Sequence, residues 1–283
     1  MTRRTLASDV TVVGTALHAG GRVRMTLSPA APGTGIVFRR SDLEADIPAR
    51  YDAVSETNLG TVVSRDGASV GVVEHLMAAA AGAEIDDLLV ILDGPEPPIL
   101  DGDALSYLTL LESAGFKTQT APRRAIKVLK RVEVAHKDAT AALVPADALE
   151  YDMEIDFPQT AAIGRQSLRF AFSRDAFRRD IAPARTFGFL HELDMLRKMN
   201  RGHGASLDNT LAIDGDAVVN ASLMRFPDEF VRHKILDAVG DMALAGAGLV
   251  ARFEGRRSGH GLNNALLRAL FADKANYEII NLP

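Results

Sequence analysis

Apolar and polar positions alternate through the first forty residues, and the alternation predicts short strands. Val10, Val12 and Val13 fall in one, Val23, Met25 and Leu27 in the next, and Ile36-Val37-Phe38 in a third. Pro29 and the Ala31-Pro32-Gly33 stretch break the chain between them. Residues 70–83 are Ala-rich and read as a helix ending near Gly82. Leu88 to Leu92 is a short apolar run and reads as a strand. Asp93-Gly94-Pro95 and Pro97-Pro98 then stiffen a loop that ends in Asp101-Gly102. A second helix is expected over 104–114, closed by Gly115.

Ala121-Pro122-Arg123-Arg124 is the best linker candidate, and after it the pattern restarts. Strands are expected over 125–134, 141–144 and 151–157. Residues 165–172 alternate, with Leu168, Phe170 and Phe172 on one side. Ser173 is placed to cap a helix. Residues 188–220 mix a short helix, a glycine-rich turn and a strand, and 228–247 carries the strongest helical pattern. Each half therefore reads as strands with helices, an α+β pattern, divided into 1–122 and 123–283. The halves share no sequence repeat.

Composition narrows the function classes. Of 283 residues, 47% are hydrophobic, enough for a substantial core and too many for wholesale disorder. The net charge of −5 argues against nucleic acid as a partner, because such binders carry a basic footprint. With no cysteine, a metal site would have to use His, Asp, Glu or water. No apolar run reaches the roughly 18–20 residues that span a bilayer. A polar Ser8-Asp9 follows the basic start where a signal core would be apolar. The expectation is a cytoplasmic, monomeric protein with a small-molecule substrate.

Three constellations could carry chemistry. Within 228–247, Val231, Ile235, Ala238, Val239 and Met242 share one helical face, and His233, Asp237 and Asp241 recur at i, i+4 and i+8 on another. Side chains four apart lie one turn above the next, so His233 and Asp237 could hold one ion through donors that suit zinc; a solvated Asp–His pair is the alternative. Glu74-His75 opens the earlier helix, where adjacent residues diverge by about 100°. One could ligate a metal while the other works on a water; an exposed Glu-His pair is the alternative. In Arg256-Arg257-Ser258-Gly259-His260-Gly261, flanking glycines suggest a tight turn presenting the imidazole, or a loop histidine with no role. His18, His136, His191 and His203 have no partner pattern.

Five segments, in order and in register, carry a resemblance. They are Gly71-Val72-Val73-Glu74-His75-Leu76, Pro98-Ile99-Leu100-Asp101-Gly102, Ala184-Arg185-Thr186-Phe187-Gly188-Phe189, Phe230-Val231-Arg232-His233-Lys234-Ile235-Leu236-Asp237 and Ser258-Gly259-His260-Gly261-Leu262-Asn263-Asn264. The chain resembles the zinc-dependent UDP-3-O-acyl-N-acetylglucosamine deacetylases of lipid A biosynthesis, from about Thr5 to its end. The resemblance implies a Zn2+ cofactor on His75, His233 and Asp237. It implies Glu74 as general base, His260 as general acid or oxyanion donor with Asp241 orienting its ring, and Thr186 as a donor to the tetrahedral oxyanion. Lys234 would meet phosphate or hydroxyl groups, Phe157 would stack the uracil, and Arg257 would approach the pyrophosphate. The implied fold is a two-domain α+β sandwich, each domain a mostly antiparallel sheet with two helices and the helical layers packed between the sheets. An insert over 187–213 would form an apolar acyl passage from Phe187, Phe189, Leu190, Leu193 and Leu196.

The chain departs from the family pattern at Val72, where threonine is usual, and at Ala16 and Ala205, where glycine is usual. Asp87 replaces a common asparagine and Asp103 a common serine. None of these removes a proposed catalytic residue. Two other readings of the resemblance are a catalytically silent sugar-nucleotide or lipid-binding protein and a zinc amidohydrolase acting on another acylated amino sugar.

Overall fold

A computed structural model describes residues 1–282. Five strands of the first half, Val10–Thr15, Arg22–Pro29, Ile36–Arg40, Ala45–Pro48 and Leu88–Leu92, form one sheet. Numbered along the chain, they lie in the order 1-2-5-3-4. Neighbours are antiparallel except Ile36–Arg40 and Leu88–Leu92, which run parallel. That parallel pair needs a crossover. The chain supplies it by leaving the sheet edge, folding a small sheet from Val54–Glu56, Val62–Arg65 and Ala68–Val70, and returning through helix α1 (Glu74–Gly82) into the sheet centre. Helix α2 (Leu105–Ser113) follows the returning strand.

The second half repeats this path. Strands Val132–His136, Ala139–Val144, Glu150–Phe157, Gly164–Ala171 and Arg252–Arg256 again lie in the order 1-2-5-3-4, with Glu150–Phe157 and Arg252–Arg256 the parallel pair. The crossover is longer here. It contains the single turn α3 (Arg174–Ala176), the short α4 (Leu193–Lys198) and α5 (Glu229–Ala243). Helix α6 (His260–Ala272) follows the central strand as α2 does in the first half. The fold is thus α+β and holds one topology twice. No sequence repeat reports this, because strand order and connectivity can recur without shared residues.

Helices α1 and α5, topological equivalents, pack against each other between the sheets, while α5 and α6 also cover the second sheet. Leu76 and Met77 of α1 and Val231, Ile235, Ala238 and Val239 of α5 join one buried core. The crossing is close because α5 carries glycine at the contact. A Cβ on Gly240 would lie 1.9 Å from the Glu74 carbonyl oxygen, which no side chain can occupy.

Several boundaries differ from the sequence reading. Residues 70–73 are not helical; Val70 ends a strand and Val72 takes φ +54°. A β-branched residue is costly there, on the order of 1–3 kcal/mol. Hydrogen bonds on either side, Gly71 N–H to Pro95 and Val73 N–H to Thr61, hold the bend that turns the chain into α1. Helix α5 stops at Ala243, and Gly246 takes the left-handed conformation (φ +84°) just beyond it. Residues 121–124 are not a loose linker, since strand Phe116–Pro122 is followed by strand Arg124–Val128 after one residue. The single strand expected over 125–134 is two, Arg124–Val128 and Val132–His136. Ser173 caps its helix as expected, its hydroxyl accepting the Ala176 N–H.

Candidate metal centre and active site

The α1–α5 crossing gathers the candidate metal ligands. His75 enters from α1, and His233 and Asp237 from successive turns of α5. All three are buried, and their donor atoms lie within 4.8 Å of one another. This excludes both the solvated Asp–His pair and the exposed Glu-His pair. His233 Nε2 and His75 Nε2 face the same oxygen, Asp237 Oδ1, at 3.4 and 3.7 Å. These gaps are long for hydrogen bonds. They are close to the ~3.3 Å separating two ligands on a tetrahedral ion with bonds of about 2.0 Å.

The surroundings suit a cation. His233 Nδ1 lies 3.1 Å from the Ala184 carbonyl, so donation there leaves Nε2 free as a lone-pair donor. Burial, then the neighbouring His233, lowers the His75 pKa to about 3, and burial likewise lowers that of His233. Both rings are held neutral, the form in which imidazole can ligate a metal. Burial alone would protonate Asp237, but Lys234 and the histidines outweigh it and hold the carboxylate ionised. Lys234 Nζ donates to Asp237 Oδ2 at 2.6 Å, leaving Oδ1 as the free oxygen. The donor set, two neutral imidazoles and one carboxylate converging in a buried pocket, fits a divalent metal ion.

Beside this group stand a carboxylate and an imidazole, each with a raised pKa. Burial raises the Glu74 pKa to about 7, while the nearby His260 works against the rise. Glu74 Oε2 accepts the Thr61 N–H at 2.9 Å, and Oε1 lies 3.9 Å from His260 Nε2. Burial would discharge His260, but Asp241 and Glu74 outweigh it and lift its pKa to about 9. His260 Nδ1 donates to Asp241 Oδ2 at 2.8 Å. The ring does not sit in a glycine turn as the sequence reading had it: His260 is the first residue of α6. Both values are raised, so between about 7 and about 9 Glu74 is ionised while His260 is still protonated, the pair of states that a base and an acid would need.

A cavity of about 610 Å³ opens beside these groups. Phe157, Thr186, Phe187, His233, Lys234 and His260 line it, and so do the apolar Phe189, Leu190, Leu193 and Leu196. Helix α4 buries no residue fully; its leucines form a cavity wall rather than a packed core helix. Thr186 is pinned from two sides, its N–H donating to Gly102 and its carbonyl accepting the Leu211 N–H, both at 2.8 Å. Phe157 and Phe187 meet edge to face with centroids 5.8 Å apart. Arg257 stands apart from the cavity lining, exposed and ion-paired to Asp138 and Asp156.

Three residues of the site escaped sequence reasoning. Thr61 donates its hydroxyl to Asp241 Oδ1 at 2.6 Å. Asn263 donates to Asp241 Oδ2 at 2.8 Å; its place one turn after His260 would have exposed it had 260–272 been read as a helix. His18, unlike the exposed His136, His191 and His203, is buried on the cavity wall, with Nε2 2.9 Å from the Leu59 carbonyl. No spacing signal marks Thr61 or His18.

A buried two-histidine, one-aspartate group beside Glu74 and His260, on the wall of a largely apolar cavity, is what hydrolysis of an acylated substrate would need. Comparison with known families agrees: the description UDP-3-O-acyl N-acetylglycosamine deacetylase matches residues 3–272 of 283, and the chain belongs to that family.

Proposed function

We propose that the chain removes the N-acetyl group of UDP-3-O-acyl-N-acetylglucosamine, giving UDP-3-O-acyl-glucosamine and acetate, as a zinc-dependent, cytoplasmic, monomeric enzyme of lipid A biosynthesis. The observation that carries this reading is the convergence of His75, His233 and Asp237 next to Glu74 and His260 on the cavity wall. We also propose that residues 1–122 and 123–283 are its two domains and that 187–213 forms the acyl passage.

His75, His233 and Asp237 would hold the ion. Zinc there would supply Lewis acidity, which polarises an acetamide carbonyl and makes a water a better nucleophile. Glu74 takes the proton of the attacking water on Oε1, since Oε2 is engaged by Thr61. The Thr186 hydroxyl and the His260 cation stabilise the oxyanion of the tetrahedral intermediate. Losing one such donor typically costs about 10²–10³ in rate. His260 then protonates the departing amine, and Asp241 keeps its ring oriented and charged through Nδ1.

Lys234 holds Asp237 and lies on the cavity wall, where it meets phosphate or hydroxyl groups. Phe157 supplies an aromatic face for the uracil, and Phe187, at the start of the 187–213 segment, meets the Phe157 ring edge to face. Arg257 reaches the pyrophosphate by exchanging one of its two carboxylate partners for it. Acetate release from the synthetic substrate by purified protein, with and without a chelator, tests the reading. Equal release in both would remove the metal from the account.

A further inference from the structure

Asp241 is more than a partner of His260. Its carboxylate collects three donors from two segments of the chain: the Thr61 hydroxyl on Oδ1 at 2.6 Å, and His260 Nδ1 and Asn263 Nδ2, one turn apart on α6, on Oδ2, each at 2.8 Å. Thr61, only 1% exposed, simultaneously donates its backbone N–H to Glu74 Oε2 at 2.9 Å and accepts the Val73 N–H on its carbonyl at 3.2 Å. One residue of the first half therefore touches the base, the bend preceding the base and the carboxylate that orients the acid.

The approach to Glu74 is tight as well. Gly60 takes φ +142°, and a Cβ there would lie 2.9 Å from Glu74 Oε1. The backbone around 60–61 packs on both oxygens of this side chain, with a hydrogen bond only to Oε2.

We propose that Thr61 is a positioning residue that couples the base to the acid. Its hydroxyl fixes the rotamer of Asp241, so that Oδ2 meets the His260 ring, and its backbone fixes Glu74, so that Oε1 stays free for the water. The two catalytic groups come from different halves of the chain, and Thr61 gives them a common hydrogen-bonded support. Buried polar groups linked in this way set geometry more than they add stability. This inference rests on the deacetylase reading for its kinetic consequence, though not for its geometric one.

Thr61→Val keeps the side-chain shape and the backbone N–H but removes the O–H to Asp241, while Thr61→Ser retains the hydroxyl. We expect kcat for acetate release to fall about 10–100-fold in Thr61→Val, with KM within twofold and metal content equal to wild type, and Thr61→Ser to recover most of kcat. The His260 Nδ1 proton, assigned by its absence from His260→Gln, reads the geometry without substrate. It should shift and broaden in Thr61→Val and return in Thr61→Ser.

Unchanged kcat in Thr61→Val, a loss that serine does not recover, or a loss that follows metal content would each overturn the proposal. Should wild type release no acetate, the proton resonance still decides: a change in Thr61→Val keeps the positioning role and rejects the deacetylase reading, and no change rejects both.

Discussion

Gly240 and Glu74 are in backbone contact: a Cβ on Gly240 would sit 1.9 Å from the Glu74 carbonyl oxygen and 2.9 Å from its Cα. The contact sets the distance between α1 and α5, and hence between His75 and the His233–Asp237 pair. Gly240→Ala must push the helices apart. Overpacking of this kind costs about 1–3 kcal/mol, and here it also spreads the ligand set. The expected outcome is a lower melting temperature together with metal loss at free-metal concentrations where wild type stays loaded. A variant as stable and as well loaded as wild type would show that the crossing distance does not govern the site.

A buried ion pair supports the other side of the centre. Glu229, at the start of α5, accepts the backbone N–H and the guanidinium of Arg185 at 3.0 and 3.4 Å, and the N–H of Phe226 at 3.2 Å. The Arg185 segment also carries the Ala184 carbonyl beside His233 and the Thr186 hydroxyl. Removing one partner of a buried pair costs about 3–5 kcal/mol. Glu229→Ala should lose stability in that range in urea unfolding. Glu229→Gln, which keeps an acceptor, should lose less.

The base–acid pair has a pH signature. As the proposed base, Glu74 would work ionised, so the rate should rise with pH through its pKa, raised by burial to about 7; a bound dication would draw this limb lower. His260 works protonated, so the rate falls as pH passes about 9. A bell-shaped kcat/KM profile is expected. Glu74→Gln should abolish turnover and retain the metal, and His260→Gln should remove the alkaline limb from what activity remains.

The cavity wall of Phe189, Leu190, Leu193 and Leu196 offers apolar area to an acyl chain. Each buried methylene contributes about 0.8 kcal/mol, so kcat/KM should climb several-fold per methylene and level off where the cavity ends. Remote binding energy of this kind appears in turnover as well as in affinity. Equal efficiency for UDP-N-acetylglucosamine and its acylated forms would make this segment ordinary structure and point to another amino-sugar substrate.

What was legible in the sequence depended on how local the contacts are. His233, Asp237 and Asp241 share one helix, so spacing alone placed them on one face. Glu74 and His75 lie on another helix, and nothing short of the motif match joined them to α5. Thr61 and His18 act through tertiary contacts across the fold and carry no periodic signal. Helix α6 went unread because glycines flank His260, and glycine before a helix and glycine in a turn look alike in sequence. The duplicated 1-2-5-3-4 sheet was invisible because its two copies share strand order and pairing direction rather than residues. Val72 read as helical because its unusual φ is imposed by neighbours, not by its own preference.

The most direct test of the central claim is acetate release from synthetic UDP-3-O-acyl-N-acetylglucosamine by wild type, His233→Ala and Asp237→Ala, with zinc content measured on the same samples. The account predicts one zinc per chain and chelator-sensitive turnover in wild type, restored by added zinc, and loss of both metal and turnover in the two variants. Full zinc occupancy and full activity in His233→Ala would contradict it.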